Sequence, residues 1–317
     1  MNSQVLDLTK QLISIPSVKG RGNMHKIINI VDQSFVQHKG IGREYFEHLE
    51  NPSVLYFNQP TRPNKFRLIL SGHLDVVSAE DSQFKPRIIG NKLYGRGAYD
   101  MKSGVAAGIF AFTQLYNKLD YPIGLQLTTD EEVGGKNGTG WQLKQGVRSD
   151  FTIALEPSEF NIAVAAKGIL WIDIESKGIS SHGAYPWLGD NAITKLTSLL
   201  QDINKLFPIP YGKNKWATTY NLANIETTND ATNTIPNQAN ARIAIRYIPQ
   251  DKTKVWESIK QLVDHYHGIS IKKVLLESAH YVDPSLREVK LLQEITKNIT
   301  GKNPQLIKNN GASDARY

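Results

Sequence analysis

The stretch Phe66-Arg-Leu-Ile-Leu-Ser-Gly-His-Leu-Asp-Val-Val77 decides how the chain is read. Its first half, Phe66 to Leu70, has the length and composition of a strand buried in a parallel sheet. The run closes at Ser71-Gly72, and two ionisable residues follow, His73 and Asp75. Residues two apart on an extended chain point to the same side. Imidazole and carboxylate are therefore expected to project together from the carboxyl end of a buried strand. Open α/β sheets place their ligands at that end. A carboxylate beside an imidazole fixes its tautomer and raises its basicity, as the supporting groups of metal sites do. The competing reading is a surface turn whose His and Asp meet only water, and the rest of the chain weighs against it.

At 317 residues the length suggests two domains. Hydrophobic residues make up 40% and charged residues 21%, which allows a sizeable globular core. The chain has no cysteine. Disulfides, thiolate metal sites and a cysteine nucleophile are thereby excluded, and any metal must be held by His, Asp and Glu. The net charge of +7 is spread along the chain without a long basic block. No nucleic-acid recognition motif accompanies it, so the basic surface reads as solvated and able to attract anions. Met1-Asn-Ser-Gln-Val-Leu-Asp7 lacks the basic and apolar parts of a signal peptide. The longest apolar run, Val105 to Phe112, falls short of the roughly 20 residues that cross a bilayer. A cytoplasmic protein with no membrane or nucleic-acid partner is expected.

The periodicity predicts helices over residues 6–13, 23–37 and 103–116, with strands over 66–70, 123–128 and 151–155 and strand-and-turn material over 45–57. Strands alternating with helices imply a parallel α/β domain. The pattern changes after Gly168. Leu170 to Ser176 alternates like a half-exposed strand, and 191–206 is helical. Strands follow at 216–225 and 239–247, then a helix at 252–265 and a strand at 269–275. Strand–helix–strand twice over is the plan of a split βαβ domain. The expected fold is thus α/β, a mostly parallel sheet flanked by helices over 1–168 and 281–317, with an inserted α+β domain over 169–280.

Acids cluster where these strands end. Asp100 lies at a loop-to-helix junction, where it is either an N-cap or a ligand. Thr128-Thr-Asp-Glu-Glu-Val-Gly-Gly135 follows one strand with three adjacent acids, which repel one another unless a cation or solvent relieves them. Neighbouring side chains diverge, so Glu131 and Glu132 are suited to different tasks, one to a cation and one to a proton. Glu156 ends a third strand in Ala154-Leu-Glu-Pro-Ser158. Carboxylates with histidine and no thiolate suit a catalytic zinc or manganese centre, and the number of acids suggests two ions activating a water between them. Gly135-Lys-Asn-Gly-Thr-Gly140 lacks phosphate-loop spacing, and there is no dinucleotide fingerprint.

Four motifs in order, Ser-Gly-His73-Leu-Asp75-Val-Val, Gly-Arg-Gly-Ala-Tyr-Asp100-Met-Lys, Thr-Asp-Glu131-Glu132-Val-Gly-Gly and Leu-Glu156-Pro-Ser, resemble the di-zinc metallopeptidase family of acetylornithine deacetylase, succinyl-diaminopimelate desuccinylase and carboxypeptidase G-type enzymes. The resemblance runs over essentially the whole chain and is far more specific for the family than for the substrate. It implies that His73 binds one zinc with Asp75 orienting it. Asp100 would bridge both ions ahead of a cis peptide before Met101. Glu132 would serve the second zinc and Glu156 the first, with cobalt or manganese as substitutes. Glu131 would be the general base that deprotonates the water and later protonates the leaving amine. The inserted domain would be a lid that forms a homodimer. In it Ser180-Ser-His182-Gly-Ala-Tyr-Pro186 resembles the motif whose histidine polarises the scissile carbonyl, by an N–H aimed at the developing oxyanion. Asn233 and Arg246 resemble positions that hold substrate carboxylates, for which a guanidinium is suited. Gly311-Ala-Ser-Asp-Ala-Arg316, with Ser313, resembles the family's loop near the substrate's carboxylate end.

The family pattern continues past that loop to a further histidine ligand, whereas this sequence stops at Tyr317 and its last histidine is His280. The expectation is therefore a complete site at His73, Asp100 and Glu156, an incomplete one at Glu132, and impaired activity in the chain as given. Three functions remain open: an N-acyl amino acid amidohydrolase, a dipeptidase or carboxypeptidase, and a binding or dimerisation module without activity.

Overall fold

Leu12 and Ile13 are fully buried at the end of the first helix, α1 (Ser3–Ile13), which stops ahead of Pro16 because the residue before a proline is turned away from helical geometry. The next helix, α2 (Met24–Gln33), is shorter than its apolar pattern predicts, and the N–H of Ser34 closes it on the carbonyls of Val31 and Asp32. Strands β1 (Gly42–His48) and β2 (Asn51–Phe57) form a hairpin around Leu49 and Glu50. The motif-bearing run is β3 (Phe66–His73), followed by a small ribbon of β4 (Arg87–Ile89) and β5 (Lys92–Tyr94). Then come α3 (Ser103–Leu115), β6 (Ile123–Thr128), α4 (Thr139–Lys144) and β7 (Ser149–Ala154).

Residues 3–212 and 215–317 are described in this computed structural model, and they divide into two units. The first contains Met1–Phe160, Ser313–Ala315 and Tyr317. Its five-stranded sheet has the order β1-β2-β6-β3-β7, with β3 parallel to both of its neighbours. The antiparallel hairpin is added at the β6 edge. The α/β class expected from the sequence is what forms. Every residue of β2 and β6 is buried, because both faces of the sheet are covered. Val54 and Tyr56 pack with α2 and α3 on one side, and Leu55 and Phe57 pack near Trp141 on the other. Strands covered on both faces read as unbroken apolar runs.

Small residues let α3 lie close to the sheet. A Cβ on Gly104 would come within 2.2 Å of the Leu155 carbonyl oxygen, and one on Gly108 within 2.5 Å of the Leu155 side chain. The helix thus fixes the strand end that carries Glu156.

The second unit contains Asn161–Ala312 and Arg316. It begins with β8 (Ile162–Ala166) and β9 (Gly168–Lys177), then α5 (Ala192–Leu206), whose first turn is capped by the Asn191 side chain. After it come β10 (Thr219–Glu226), β11 (Gln238–Tyr247), α6 (Lys252–Asp264) and β12 (Ile269–Glu277). The order β10-β11-β9-β12 is antiparallel throughout, and β9-α5-β10-β11-α6-β12 is the expected doubled strand–helix–strand plan. Residues of β9 and β11 alternate strictly, one set packing under α5 and α6 and the other left on an open face.

The sequence did not announce β8, an Ile-Ala-Val-Ala-Ala run too small and too uniform to show a period. It pairs parallel with β14 (Leu306–Asn309) and antiparallel with β13 (His280–Tyr281), and α7 (Arg287–Thr300) lies between those two in sequence. This third sheet packs residues 161–168 and 281–312 with the second unit, so the break in packing falls between Phe160 and Asn161. No helix among the described residues is long and apolar enough to cross a membrane.

Replacing Gly104 by Ala tests the close packing. Alanine gains up to about 1 kcal/mol of helix propensity, but the clash with Leu155 is expected to outweigh it and leave a net loss of about 1–3 kcal/mol. The measurement is the urea midpoint at unchanged m-value; a midpoint at or above that of the parent would contradict the contact.

Candidate metal centre

His73 is the last residue of β3 and is 2% exposed. Its ring is held from both ends. Nδ1 lies 2.9 Å from the backbone oxygen of Asp75 and 3.4 Å from that residue's carboxylate. Nε2 lies 3.1 Å from Asp100 Oδ1 and 3.7 Å from Glu156 Oε1. The main orienting contact is thus the carbonyl of Asp75, with its carboxylate the second partner. Burial alone would lower the His73 pKa, but hydrogen bonds to Asp100 and Asp75 and the charges of Asp75 and Glu156 raise it well above the ordinary value.

Asp100 is not a helix cap. Helix α3 begins at Ser103, and Asp100 sits before it at a non-helical kink (φ −118°, ψ 103°), with a cis peptide to Met101. Met101 is buried, and its sulfur accepts the backbone N–H of His73 at 3.3 Å. Asp100 is half exposed, and the bond to His73 holds its pKa below the ordinary value. Glu156 arrives from the end of β7, where Leu155 N–H still pairs with the Ser71 carbonyl. Burial pushes its pKa up to about 7. One ligand atom from each of His73, Asp100 and Glu156 lies within 4.8 Å of the others.

Asp75 has a second task. Its two carboxylate oxygens accept the backbone N–H groups of Glu131 at 3.2 Å and Glu132 at 2.9 Å. It thereby pins the turn after β6 beside the imidazole. Glu132 is outside the three-residue ligand group, though its pKa, raised mainly by burial, also responds to His73, Asp100 and Asp75. Glu131 is pushed up to about 8, first by burial and then by the charge of Asp314. Asp314 was missed in the sequence, where Ser313 beside it drew attention. Ser313 Oγ accepts the N–H of Ala315 and begins a short turn, whereas Asp314 Oδ2 accepts the Thr139 hydroxyl at 2.5 Å. Asp130 is also buried, with a pKa of about 6 caused mainly by burial.

A second missed residue is Lys102. It is fully buried, and its Nζ donates to the carbonyls of Leu12 at 2.9 Å and Ile15 at 3.0 Å. These are carbonyls at and just beyond the end of α1, where a cation meets the negative end of the helix dipole. Burial lowers its pKa to about 7 against the pull of Asp75. Lys102 ties the Asp100 turn to α1, and Ser17 ties the same segment to the end of β3 through Leu74 and Val76. A Met-Lys pair after an aspartate gave no sign of this, because the partners are carbonyls.

The remaining candidates lie in the second unit. His182 is exposed and pairs in an isolated bridge with Thr234. Its Nδ1 accepts the Ala184 N–H at 3.1 Å, which leaves the proton on Nε2. The Gly183 N–H reaches the Asn233 carbonyl at 2.6 Å, so the His182 and Asn233 loops adjoin. Arg246 is on the open face of β11 and half buried.

The donors present fit a divalent cation. Five carboxylates in all, Asp75, Asp100, Glu131, Glu132 and Glu156, act on one imidazole or on one another, and the pKa values of Glu131, Glu132 and Glu156 are raised mainly by burial. One nitrogen with oxygens and no sulfur suits zinc or manganese.

Comparison with known proteins agrees with this chemistry. The profile of peptidase family M20/M25/M40 matches residues 69–317. A succinyl-diaminopimelate desuccinylase of Rhizorhabdus wittichii is 30% identical over 98% of this chain and 86% of its own length. One of Erythrobacter litoralis is 28% identical over 99% and 88%. Among solved structures, a tripeptidase of Staphylococcus aureus superimposes with a TM-score of 0.77 over 98% of this chain and 85% of its own, at 18% identity. An M20 family metallo-carboxypeptidase of Sulfolobus solfataricus gives 0.72 over 98% and 87%, at 19% identity. Both likenesses concern the fold.

The raised carboxylates set a pH dependence for the metal-free protein. Glu131, Glu156 and Asp130 take up protons on folding between their ordinary values and about 8, 7 and 6. Stability therefore falls as pH rises through that range. His73 acts in the same direction, since the benefit of its raised pKa is lost as it deprotonates. Lys102 opposes this only above about pH 7. In chelator the melting temperature is expected to drop by a few degrees from pH 5 to pH 7. Zinc should restore it at pH 7 and act less at pH 5. A flat or rising melting temperature over that range would contradict the buried-acid account.

Proposed function

The chain belongs to peptidase family M20/M25/M40, and from that premise we propose that it hydrolyses the amide bond of an N-acyl amino acid, as a succinyl-diaminopimelate desuccinylase or acetylornithine deacetylase does. The family is one of metal-dependent hydrolases. The observation that carries the proposal is the convergence of His73, Asp100 and Glu156 from three separate elements onto one point, with the partly buried Glu131 feeling the charges of His73 and Glu156.

His73, Asp100 and Glu156 are the proposed ligands of one ion, with Asp100 and Glu132 assigned to a second. A bound zinc ion supplies a Lewis acid that polarises a carbonyl and makes a water molecule acidic at neutral pH. Glu131 takes the proton of the attacking water and returns it to the leaving nitrogen. A carboxylate with a pKa near neutrality is matched to both transfers. Asp75 keeps Glu131 and Glu132 in register through their N–H groups and keeps His73 in one orientation. His182 is assigned the donor role toward the oxyanion, with the Nε2 proton its local hydrogen bond dictates. Asn233, Arg246 and Ser313 are assigned to the substrate's carboxylates. The catalytic division of the chain is proposed as 1–168 with 281–317, and 169–280 as a lid that forms a homodimer, in a cytoplasmic enzyme.

A second reading, a peptidase acting on a short peptide, draws on the tripeptidase and carboxypeptidase among the structural neighbours. Comparing turnover of N-succinyl-diaminopimelate, N-acetylornithine and plain dipeptides separates the two. Glu131→Ala is expected to reduce kcat by at least about 10²-fold while zinc content, read by elemental analysis, stays at the parent level. Unchanged turnover would remove Glu131 from the mechanism, and absence of zinc from the parent protein would favour a binding module.

A further inference from the structure

The segment that leaves α1 holds two of the stretches that carry the proposed ligands. Ser17 Oγ donates to the Leu74 carbonyl at 2.6 Å, and the Ser17 carbonyl accepts the Val76 N–H at 3.0 Å. These bonds clamp the chain just after His73. The Lys102 Nζ donates to the carbonyls of Leu12 at 2.9 Å and Ile15 at 3.0 Å. That pair clamps the chain just after Asp100. Residues 12–17 are therefore a common footing for His73 and Asp100.

The Gly-Arg-Gly loop makes room for the contact. Gly97 is in the left-handed region at φ 78°, and a Cβ there would come within 2.7 Å of Val76 Cγ1 and 3.0 Å of Lys102 Cδ. A Cβ on Gly95 would lie 2.6 Å from Ile13 Cγ2. The Lys102 N–H returns to the Gly97 carbonyl at 2.9 Å. The two glycines thus leave space for the lysine stem and for the end of α1.

Capping the helix does not account for the lysine. The Leu12 carbonyl already accepts the Ile15 N–H at 3.2 Å, and the Ile15 carbonyl accepts the Ser17 N–H at 2.8 Å. Lys102 is fully buried, and among the described residues its ammonium bonds to these carbonyls and to no carboxylate. Burying an ammonium without a carboxylate partner is costly. An apolar side chain of similar length would fill the same space at lower cost, but it could not bond to α1. Asp100 is where that bond matters. Its backbone is kinked out of helical geometry, and α3 starts only at Ser103, so regular structure does not hold it. Lys102 fixes the kink to a separate element.

We propose that Lys102 is the positioning residue of the metal centre. By bonding to the exit of α1 it sets the Asp100 carboxylate against His73 and Glu156 before an ion binds. Lys102 acts through the backbone of Asp100 and contacts neither ion nor substrate. A ligand held in place by its supporting bonds loses less freedom when the ion arrives, and loss of such support weakens metal binding. The inference rests on the metal site assigned above to His73, Asp100 and Glu156.

The test is the zinc affinity of the full chain, read by competition with a chromophoric chelator, for the parent, Lys102→Met and Val31→Ala. Val31 is buried in the same core under α2, so Val31→Ala lowers stability without touching the Asp100 turn. Lys102→Met is expected to bind zinc about tenfold or more weakly. Its metal-free form should melt within a few degrees of the parent or above it, because a buried ammonium has been removed and both carbonyls keep a backbone partner. Val31→Ala should melt lower and keep the parent's zinc affinity. Cobalt gives a second readout, since its visible absorption reports ligand geometry. The cobalt spectrum should change in Lys102→Met and stay the same in Val31→Ala. Lys102→Gln, whose shorter stem cannot reach both carbonyls, replaces the Met variant should that one not fold, and should weaken zinc about threefold or more. Parental zinc affinity and cobalt spectrum in the lysine variants overturn the proposal. Equal weakening by Val31→Ala and Lys102→Met also overturns it, because stability alone would then set the affinity. A parent that binds no zinc overturns the metal site and the positioning role together. A parent that binds zinc no better than its lysine variants leaves the site standing without the role, so the two readings fail separately.

Discussion

The buried imidazole of His73 is the constraint around which the first unit is arranged. Its two nitrogens face a backbone carbonyl on one side and two carboxylates on the other, 2% exposed to solvent. Carboxylates placed this close to one another repel, and burial penalises each of them as an anion. The protein accepts that penalty, as the raised pKa values of Glu131 and Glu156 record. Such a cluster is stable only with protons or with a cation, and a site in which ligands are already gathered spends little on reorganisation when the cation arrives.

Holding the cluster requires support from beyond it. The parallel trio β6-β3-β7 brings three carboxyl strand ends to one edge of the sheet. Glycines on α3 let the helix press against Leu155, next to Glu156. The Lys102 ammonium anchors the Asp100 turn to the end of α1. Asp75 spends both oxygens on the backbone of the Glu131–Glu132 turn. Asp100, Glu156 and the Glu131–Glu132 pair are therefore placed by three different elements, with Asp75 joining β3 to the turn after β6. The second unit uses charge in the reverse sense. Its open sheet face pairs Arg242 with Asp173 but leaves Arg246 and Lys167 beside other cations.

Much of this was legible in the chain. The run from Phe66 reads as a buried strand, and three apolar runs each followed by an acid point to a shared strand edge. The doubled strand–helix–strand plan after Gly168 follows from alternation in Leu170–Ser176 and the helical spacing of 191–206. What escaped the reading was of two kinds. Strand β8 has small, uniform side chains and no period, so only its pairing with β13 and β14 defines it. Asp314, Lys102 and Lys167 are single charged residues whose partners lie far along the chain or are backbone carbonyls, and a pattern search along the sequence has no access to either.

By itself the sequence determined the chemistry available: with no cysteine, any metal must be met by nitrogen and oxygen, and the acids follow buried strands. It also determined the α/β class and the separate antiparallel unit, because hydrophobic periodicity is a local property of the chain. Tertiary structure alone decided which acids share a centre, which nitrogen of His73 faces them, and which cations go without a counter-ion. Those outcomes depend on distances between residues far apart in the chain, and on burial, which turns a pair of charges screened in water into an interaction strong enough to shift a proton.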